Sequence, residues 1–127
     1  MPTITEPTLG SAFAEALAKK DFDAIASLLH PEIDFRGLTP GVRNWEGHTP
    51  DEVIQGVLRT WFEDSDEIEE LVHLETDSFS DRQRVSYRFR GHNPDGEFVV
   101  EQQAYLDERD GKIVWMRVLC SGFRPLA

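Results

Sequence analysis

The chain has 127 residues, with 13 Lys and Arg against 24 Asp and Glu and a formal net charge of −11. That balance excludes nucleic acid and anionic membrane surfaces as the general partner, and the length is that of one domain with a single core or a lined pocket. The one cysteine, Cys120, has no partner for an internal disulfide; no apolar run approaches the roughly 20 residues of a membrane span, and residues 1–7 carry no secretion signal, so a cytoplasmic, reduced protein is expected.

In chain order, residues 1–8 contain two prolines and no period and read as a flexible arm, leaving 9–127 as a single domain. Thr8 or Ser11 can cap a helix carrying Phe13, Ala16 and Leu17 at helical spacing. Asp21 caps a second helix, Phe22 to Leu29, which His30-Pro31 ends because a residue before proline is pushed out of the α region. Ile33 to Arg36 reads as a short strand, and Gly37 to Gly47 as a long loop holding Trp45. Thr49-Pro50-Asp51-Glu52 is a helix start with a hydroxyl cap, proline at the first position and acids at the positive end of the dipole. The stripe Val53, Ile54, Val57, Leu58, Trp61 and Phe62 should pack on a sheet, and Gly56 within it suggests close approach to a neighbour.

After an acidic linker, Ile68 to Phe79 reads as a strand with Val72 and Leu74 on one face. Gln83, Val85, Tyr87 and Phe89 then alternate with Arg82, Arg84, Ser86, Arg88 and Arg90, the period of a half-buried strand. The arginine row is the one basic exception: it fits an exposed or interface face paired with the acidic surplus, with an anion or nucleic-acid site as the alternative. Turn chemistry at His92–Gly96 and Arg109–Gly111 separates this strand from Glu97–Asp107 and Lys112–Ser121. The expected fold class is therefore α+β, a curved antiparallel sheet closed into a cone by three helices from the N-terminal half.

Three segments carry a family resemblance: Lys19 to Ile25 between two helices, Trp45-Glu46-Gly47-His48 before the Thr-Pro-capped helix, and Asp110 to Val114 running into Trp115-Met116-Arg117. Together they resemble the nuclear transport factor 2-like superfamily, which includes SnoaL-like polyketide cyclases and ketosteroid isomerase. The resemblance spans about Leu9 to Phe123 and implies a deep apolar pocket, frequent dimers and chemistry without a cofactor. It also implies that Met116, Val118 and Cys120 line the pocket while Trp115, Arg117 and Leu119 face outward. The ketosteroid isomerase residues are not matched: its tyrosine falls at Phe13, its base at or next to Gly37, and its oxyanion acid at Gln103 or Gln102.

The resulting expectation is a small apolar or aromatic ligand held by Phe13, Trp45, Trp61, Tyr87, Phe89, Met116, Val118 and Cys120, with Gln102 as an orienting polar group. His48 and Asp34 are the acid–base candidates. Each has a plainer reading, His48 as a loop residue bonded to backbone and Asp34 as an outer-face partner of Arg36. No histidine pair has metal-ligand spacing, so neither metal nor cofactor is expected. If the chain is an enzyme, an isomerase, cyclase, dehydratase or hydrolase fits. The alternative is a non-catalytic binding or dimerisation module with a closed pocket. A homodimer would use the outer sheet face.

Overall fold

The computed structural model describes residues 8–41 and 43–126, without the side chains of Arg43 and Phe79. Apart from Thr8, the expected arm therefore lies outside the described residues. Helix α1 (Leu9–Ala18) begins with a reciprocal cap, Ser11 N donating to Thr8 Oγ1 at 3.0 Å and Thr8 N to Ser11 Oγ at 2.9 Å. Helix α2 (Phe22–Leu28) starts where Ala24 N donates to the Asp21 carboxylate. It passes at once into strand β1 (Leu29–Thr39), far longer than the expected four residues. Pro31 does push His30 out of the helix, but into an extended conformation that continues the chain. The proline falls in the irregularity between the Leu29↔Ile113 and Asp34↔Trp115 pairings, where a missing N–H is tolerated.

The expected loop after Gly37 is largely a hairpin, because β1 continues to Thr39 and pairs antiparallel with β2 (Arg43–Gly47). The next helix is capped as its sequence predicts, Glu52 N donating to Thr49 Oγ1 at 3.1 Å. It is then π-helical over Glu52–Leu58 before a last α turn, α3 (Arg59–Trp61). Its apolar residues come in pairs four apart, and a strict four-residue repeat overruns the about 3.6 residues of an α turn. Wider turns keep all six on one face, and all six are buried. Gly56 lies on the exposed side with no atom within 4 Å of an added Cβ, so the expected close approach is not there.

Strands β3 (Glu67–Phe79), β4 (Arg82–Asn93), β5 (Gly96–Arg109) and β6 (Lys112–Cys120) form an antiparallel meander. The turn at Asp110-Gly111 has positive φ at both residues, as a two-residue hairpin requires. Irregularities in β3 between Ile68 and Glu70 and between Leu71 and His73 break its alternation. Val72 is therefore 44% exposed while Leu74 packs partly against the core, on different faces rather than one. The sheet order is β2-β1-β6-β5-β4-β3, and β1 runs parallel to β6, so the sheet is mixed rather than wholly antiparallel. A two-residue strand β7 (Arg124–Pro125) joins β5 at Phe98 and Val99, which the sequence reading missed. The helices cover one face of this curved sheet, completing the α+β cone.

Candidate functional site

Strand parity assembles the concave face. Val85, Tyr87 and Phe89 on β4, Val100, Gln102, Ala104 and Leu106 on β5, Met116 and Val118 on β6, and Phe35 on β1 are all buried. Register aligns them in rows: Cys120, Gln102 and Tyr87 are neighbours across three strands, and Gly37, Val118, Ala104 and Val85 form the next row. Helical aromatics close over these rows. Phe13 meets Tyr87 at 6.3 Å between ring centres, and Trp61 lies 6.1 Å from Phe35 and 6.0 Å from Trp45. An added Cβ on Gly37 would come within 2.5 Å of the Trp61 ring, so glycine is what admits that indole. Phe62 packs on Phe89 at 5.9 Å and on Phe123 at 5.5 Å, and Phe123 reaches Phe98 at 4.6 Å. The interior is thus filled with aromatic side chains.

Among the described residues, one side-chain polar pair lies fully within this interior. Tyr87 Oη donates to Gln102 Oε1 at 2.6 Å, with Tyr87 fully buried and Gln102 1% exposed. Burial, together with the neighbouring Cys120, holds the phenol well above its ordinary pKa, so it stays a neutral donor. The other end of the amide, Gln102 Nε2, is buried and has no hydrogen-bond partner among the described residues. The indole N–H of Trp61 is in the same condition, whereas that of Trp45 donates to Thr39 Oγ1 at 3.0 Å. Leaving a buried donor unmet costs about 1–3 kcal/mol, and folded proteins hold few such groups. Gln103 lies on the outer face, bonded to Ser86 and Tyr105, so the amide facing inward is Gln102.

Of the residues singled out from sequence, Phe13, Trp61, Tyr87, Phe89, Gln102, Met116 and Val118 are buried together, with Trp45 and Cys120 partly buried against them. The two acid–base candidates are not brought to this group. Asp34 alternates with Ile33 and Phe35 and so falls on the outer face; its carboxylate is 3.4 Å from Arg117 Nη1, and its side chain is 43% exposed. The outer placement fits its plainer reading, with Arg117 as the partner rather than Arg36, which pairs with Glu46. His48 is exposed in the bend after β2, where its backbone N–H donates to Glu52 Oε1 at 2.9 Å. Phe62, Phe98 and Phe123 were not singled out for the site. Phe62 had a signal in the helical stripe beside Trp61, but Phe123 follows β6 in a segment with no periodicity.

Open hollows lie elsewhere, two of them bounded by described residues. One, of about 780 Å³, is bounded by Thr8 at the cap of α1, by Leu9 and Ala12 within it, and by the ends of β3 to β5, with Gln83 and Arg84 on its wall. The other, of about 260 Å³, is a shallow groove on the outer face between Leu38, Asn44, Tyr105, Arg117 and Leu119.

No curated protein matches the sequence. Among solved structures, a candidate polyketide cyclase from Xanthomonas campestris pv. campestris is 22% identical, with a TM-score of 0.67, over 87% of this chain and 86% of that one. An LEH-like epoxide hydrolase from M. tuberculosis is 14% identical, with a TM-score of 0.63, over 89% and 80%. A protein with a ketosteroid isomerase-like fold from Catenulispora acidiphila DSM 44928, in complex with trimethylamine, is 14% identical, with a TM-score of 0.64, over 92% and 88%. At these identities the likeness concerns the fold, the one the sequence resemblance implied. The SnoaL-like domain model matches residues 11–116, and the chain belongs to that family.

Proposed function

We propose that this chain binds a small apolar molecule against the concave face of its sheet and, as an enzyme, would act on it by cofactor-free acid–base chemistry of the isomerase, cyclase, dehydratase or hydrolase kind. The supporting observation is the Tyr87–Gln102 pair, a polar feature in an aromatic interior that leaves a donor unmet; apolar walls with a few placed polar groups are what small-molecule sites use. The proposed point of entry is the Phe62–Phe123 contact, which joins the third helix to the segment after β6. Neither acid–base candidate meets this pair as the chain stands: Asp34 is engaged by Arg117 on the opposite face, and His48 is exposed in the bend after β2.

A thermal-shift screen of steroid-like, terpenoid and aromatic polyketide compounds tests this, run on the wild type and on Phe123→Ala. Stabilisation by one class, larger in the variant, is expected; no stabilisation of either protein removes the reading. With any compound that turns over, His48→Ala and Asp34→Asn test the two candidates: turnover lost with binding retained assigns the role, and unchanged turnover in both removes the two assignments.

A second reading is a dimerisation module with a closed interior, favoured by the aromatic filling itself. The outer groove, flanked by Leu38 at 44% and Leu119 at 53% exposure, would be the contact between two copies. Sedimentation equilibrium should then give a dimer that Leu119→Asp dissociates. A monomeric wild type would exclude this surface as a dimer contact.

A further inference from the structure

We propose that residues 121–126 form a hinged strap whose Phe123 ring plugs a subsite between Phe62 and Phe98, and that a ligand enters by putting an apolar ring in its place. The inference rests on the small-molecule reading above and specifies how that site is opened and what part of a ligand opens it.

After β6 the chain continues along β5, held there by few groups. Ser121 N donates to Glu101 O at 2.8 Å, Ser121 Oγ accepts from Glu101 N at 2.9 Å, and Leu126 N donates to Glu97 O at 3.1 Å. Between these ties lies β7, two residues long, one of them a proline with no N–H to give. Gly122 bends the segment with a φ of +81°, and a Cβ there would come within 2.7 Å of Pro40 in the β1–β2 turn. Ser121, Arg124, Pro125 and Leu126 are exposed. The strap's inward anchor is Phe123, against Phe62 at 5.5 Å and Phe98 at 4.6 Å between ring centres. A segment held by a handful of main-chain bonds and one apolar side chain sits at the low end of local stability.

The two rings that Phe123 touches are held more firmly. Phe98 stands on β5 and Phe62 at the end of the third helix, and they are 3% and 1% exposed. Phe123 belongs to no regular element, so its ring is the one that can leave without disturbing the sheet. Behind Phe62 the rings continue inward, Phe62 on Phe89 at 5.9 Å and Phe89 on Tyr87 at 5.1 Å, as far as the Tyr87–Gln102 pair. Withdrawing Phe123 uncovers the outer end of this line and leaves a gap the size of one phenyl ring. Its walls are apolar, so water fills it poorly and another apolar ring fills it well. Phe123 thus stands in for the ring of a ligand.

Native-state hydrogen exchange, read by NMR with no ligand present, tests the strap. The amides of Glu101, Ser121 and Leu126 should exchange through one common opening, at least about a hundred-fold faster than amides at the centre of β5. Phe123→Ala removes the anchor and Gly122→Ala strains the hinge; each should speed those three amides by about ten-fold and leave the centre of β5 unchanged, which also reports that the variant is folded. Exchange of the three at the rate of the β5 centre means the strap opens only with the whole fold and overturns the inference, leaving binding elsewhere on the concave face untouched. Fluorobenzene, followed by fluorine NMR, tests the plug. Phe123→Ala should bind it about ten-fold more tightly than wild type, because no ring has to be displaced first. Gly122→Ala, which keeps the ring but unseats the strap, should also bind it more tightly, and in wild type its binding should speed exchange of the three strap amides. Equal affinity in all three proteins, or binding that leaves the strap amides unchanged, places the probe elsewhere and overturns the inference while the small-molecule reading stands. No binding to any of the three overturns the inference and counts against that reading as well.

Discussion

The two faces of the sheet use polar groups in opposite ways. On the outer face they are many and matched: Arg82 with Asp107, Arg84 with Glu75, Arg88 with Glu101, Arg90 with Glu69 and Glu70, and Arg117 with Asp34. Arg82 and Arg117 also lie over the Trp115 ring, at 3.8 and 4.4 Å. On the inner face there is, among the described residues, one pair, Tyr87 with Gln102, and it is not fully matched. An exposed ion pair contributes little and can be replaced by others, so the outer pairs say how the acidic surplus is neutralised and little about function. A buried amide with a free N–H is costly to keep, and so the single inner pair carries more functional information than all the outer ones.

The contrast can be broken most severely from the inside. Phe89→Ala removes a fully buried ring that contacts both Tyr87 and Phe62 and should lower unfolding free energy by about 3–5 kcal/mol, measured by urea denaturation. A loss below about 1 kcal/mol would mean the interior is loosely packed. Gly37→Ala comes next. Its Cβ would meet the Trp61 ring at 2.5 Å, so the indole must move, at about 1–3 kcal/mol, with a shift in tryptophan emission. Unchanged emission and stability would show that the indole has room to spare.

The faces themselves were legible in the sequence. The alternation from Gln83 to Arg90 placed Val85, Tyr87 and Phe89 inside and the arginines outside, because a period of two admits no other arrangement once one side is apolar. The paired stripe of the third helix likewise told which residues are buried, though not that they wind as a π-helix. Legibility failed where contacts come from distant chain. The β2 hairpin hides in a polar stretch because β1 extends to meet it, and Phe123 is held by Phe62 and Phe98 rather than by any local pattern. Asp34 was ambiguous because a four-residue strand shows parity without saying which side is covered; the parallel pairing with β6 decides it. The unmet N–H groups of Gln102 and Trp61 have no sequence signal at all, since they are defined by what is not beside them.

Tyr87→Phe sharpens the comparison through pH. The folded-state pKa of Tyr87 is raised by burial, whereas the unfolded chain titrates near about 10. Below that value both states hold the proton and stability is independent of it. Above it the unfolded state binds fewer protons than the folded one, so stability falls as pH climbs toward the folded pKa. Urea midpoints between about pH 8 and 11 should therefore decline at the alkaline end. Tyr87→Phe should flatten the Tyr87 share of that slope and, near neutral pH, cost about 1 kcal/mol for the lost hydrogen bond. An identical alkaline slope in the variant would place the titration elsewhere.

The smallest effect belongs to the outer face, and its smallness is the content of the prediction. Arg88 and Glu101 lie directly opposite on β4 and β5 with 2.8 Å between Nη2 and Oε1, and both side chains are about half exposed. Cross-strand opposite charges of this kind are worth roughly 0.2–1 kcal/mol, and water at both ends should hold this pair to the lower part of that range. A double-mutant cycle with Arg88→Ala and Glu101→Ala should give a coupling near about 0.3 kcal/mol that fades between low and high salt. A salt-independent coupling above about 1 kcal/mol would mean the pair is shielded from water in solution. The covering surface would have to come from outside the chain, which would make this part of the outer face a contact between copies.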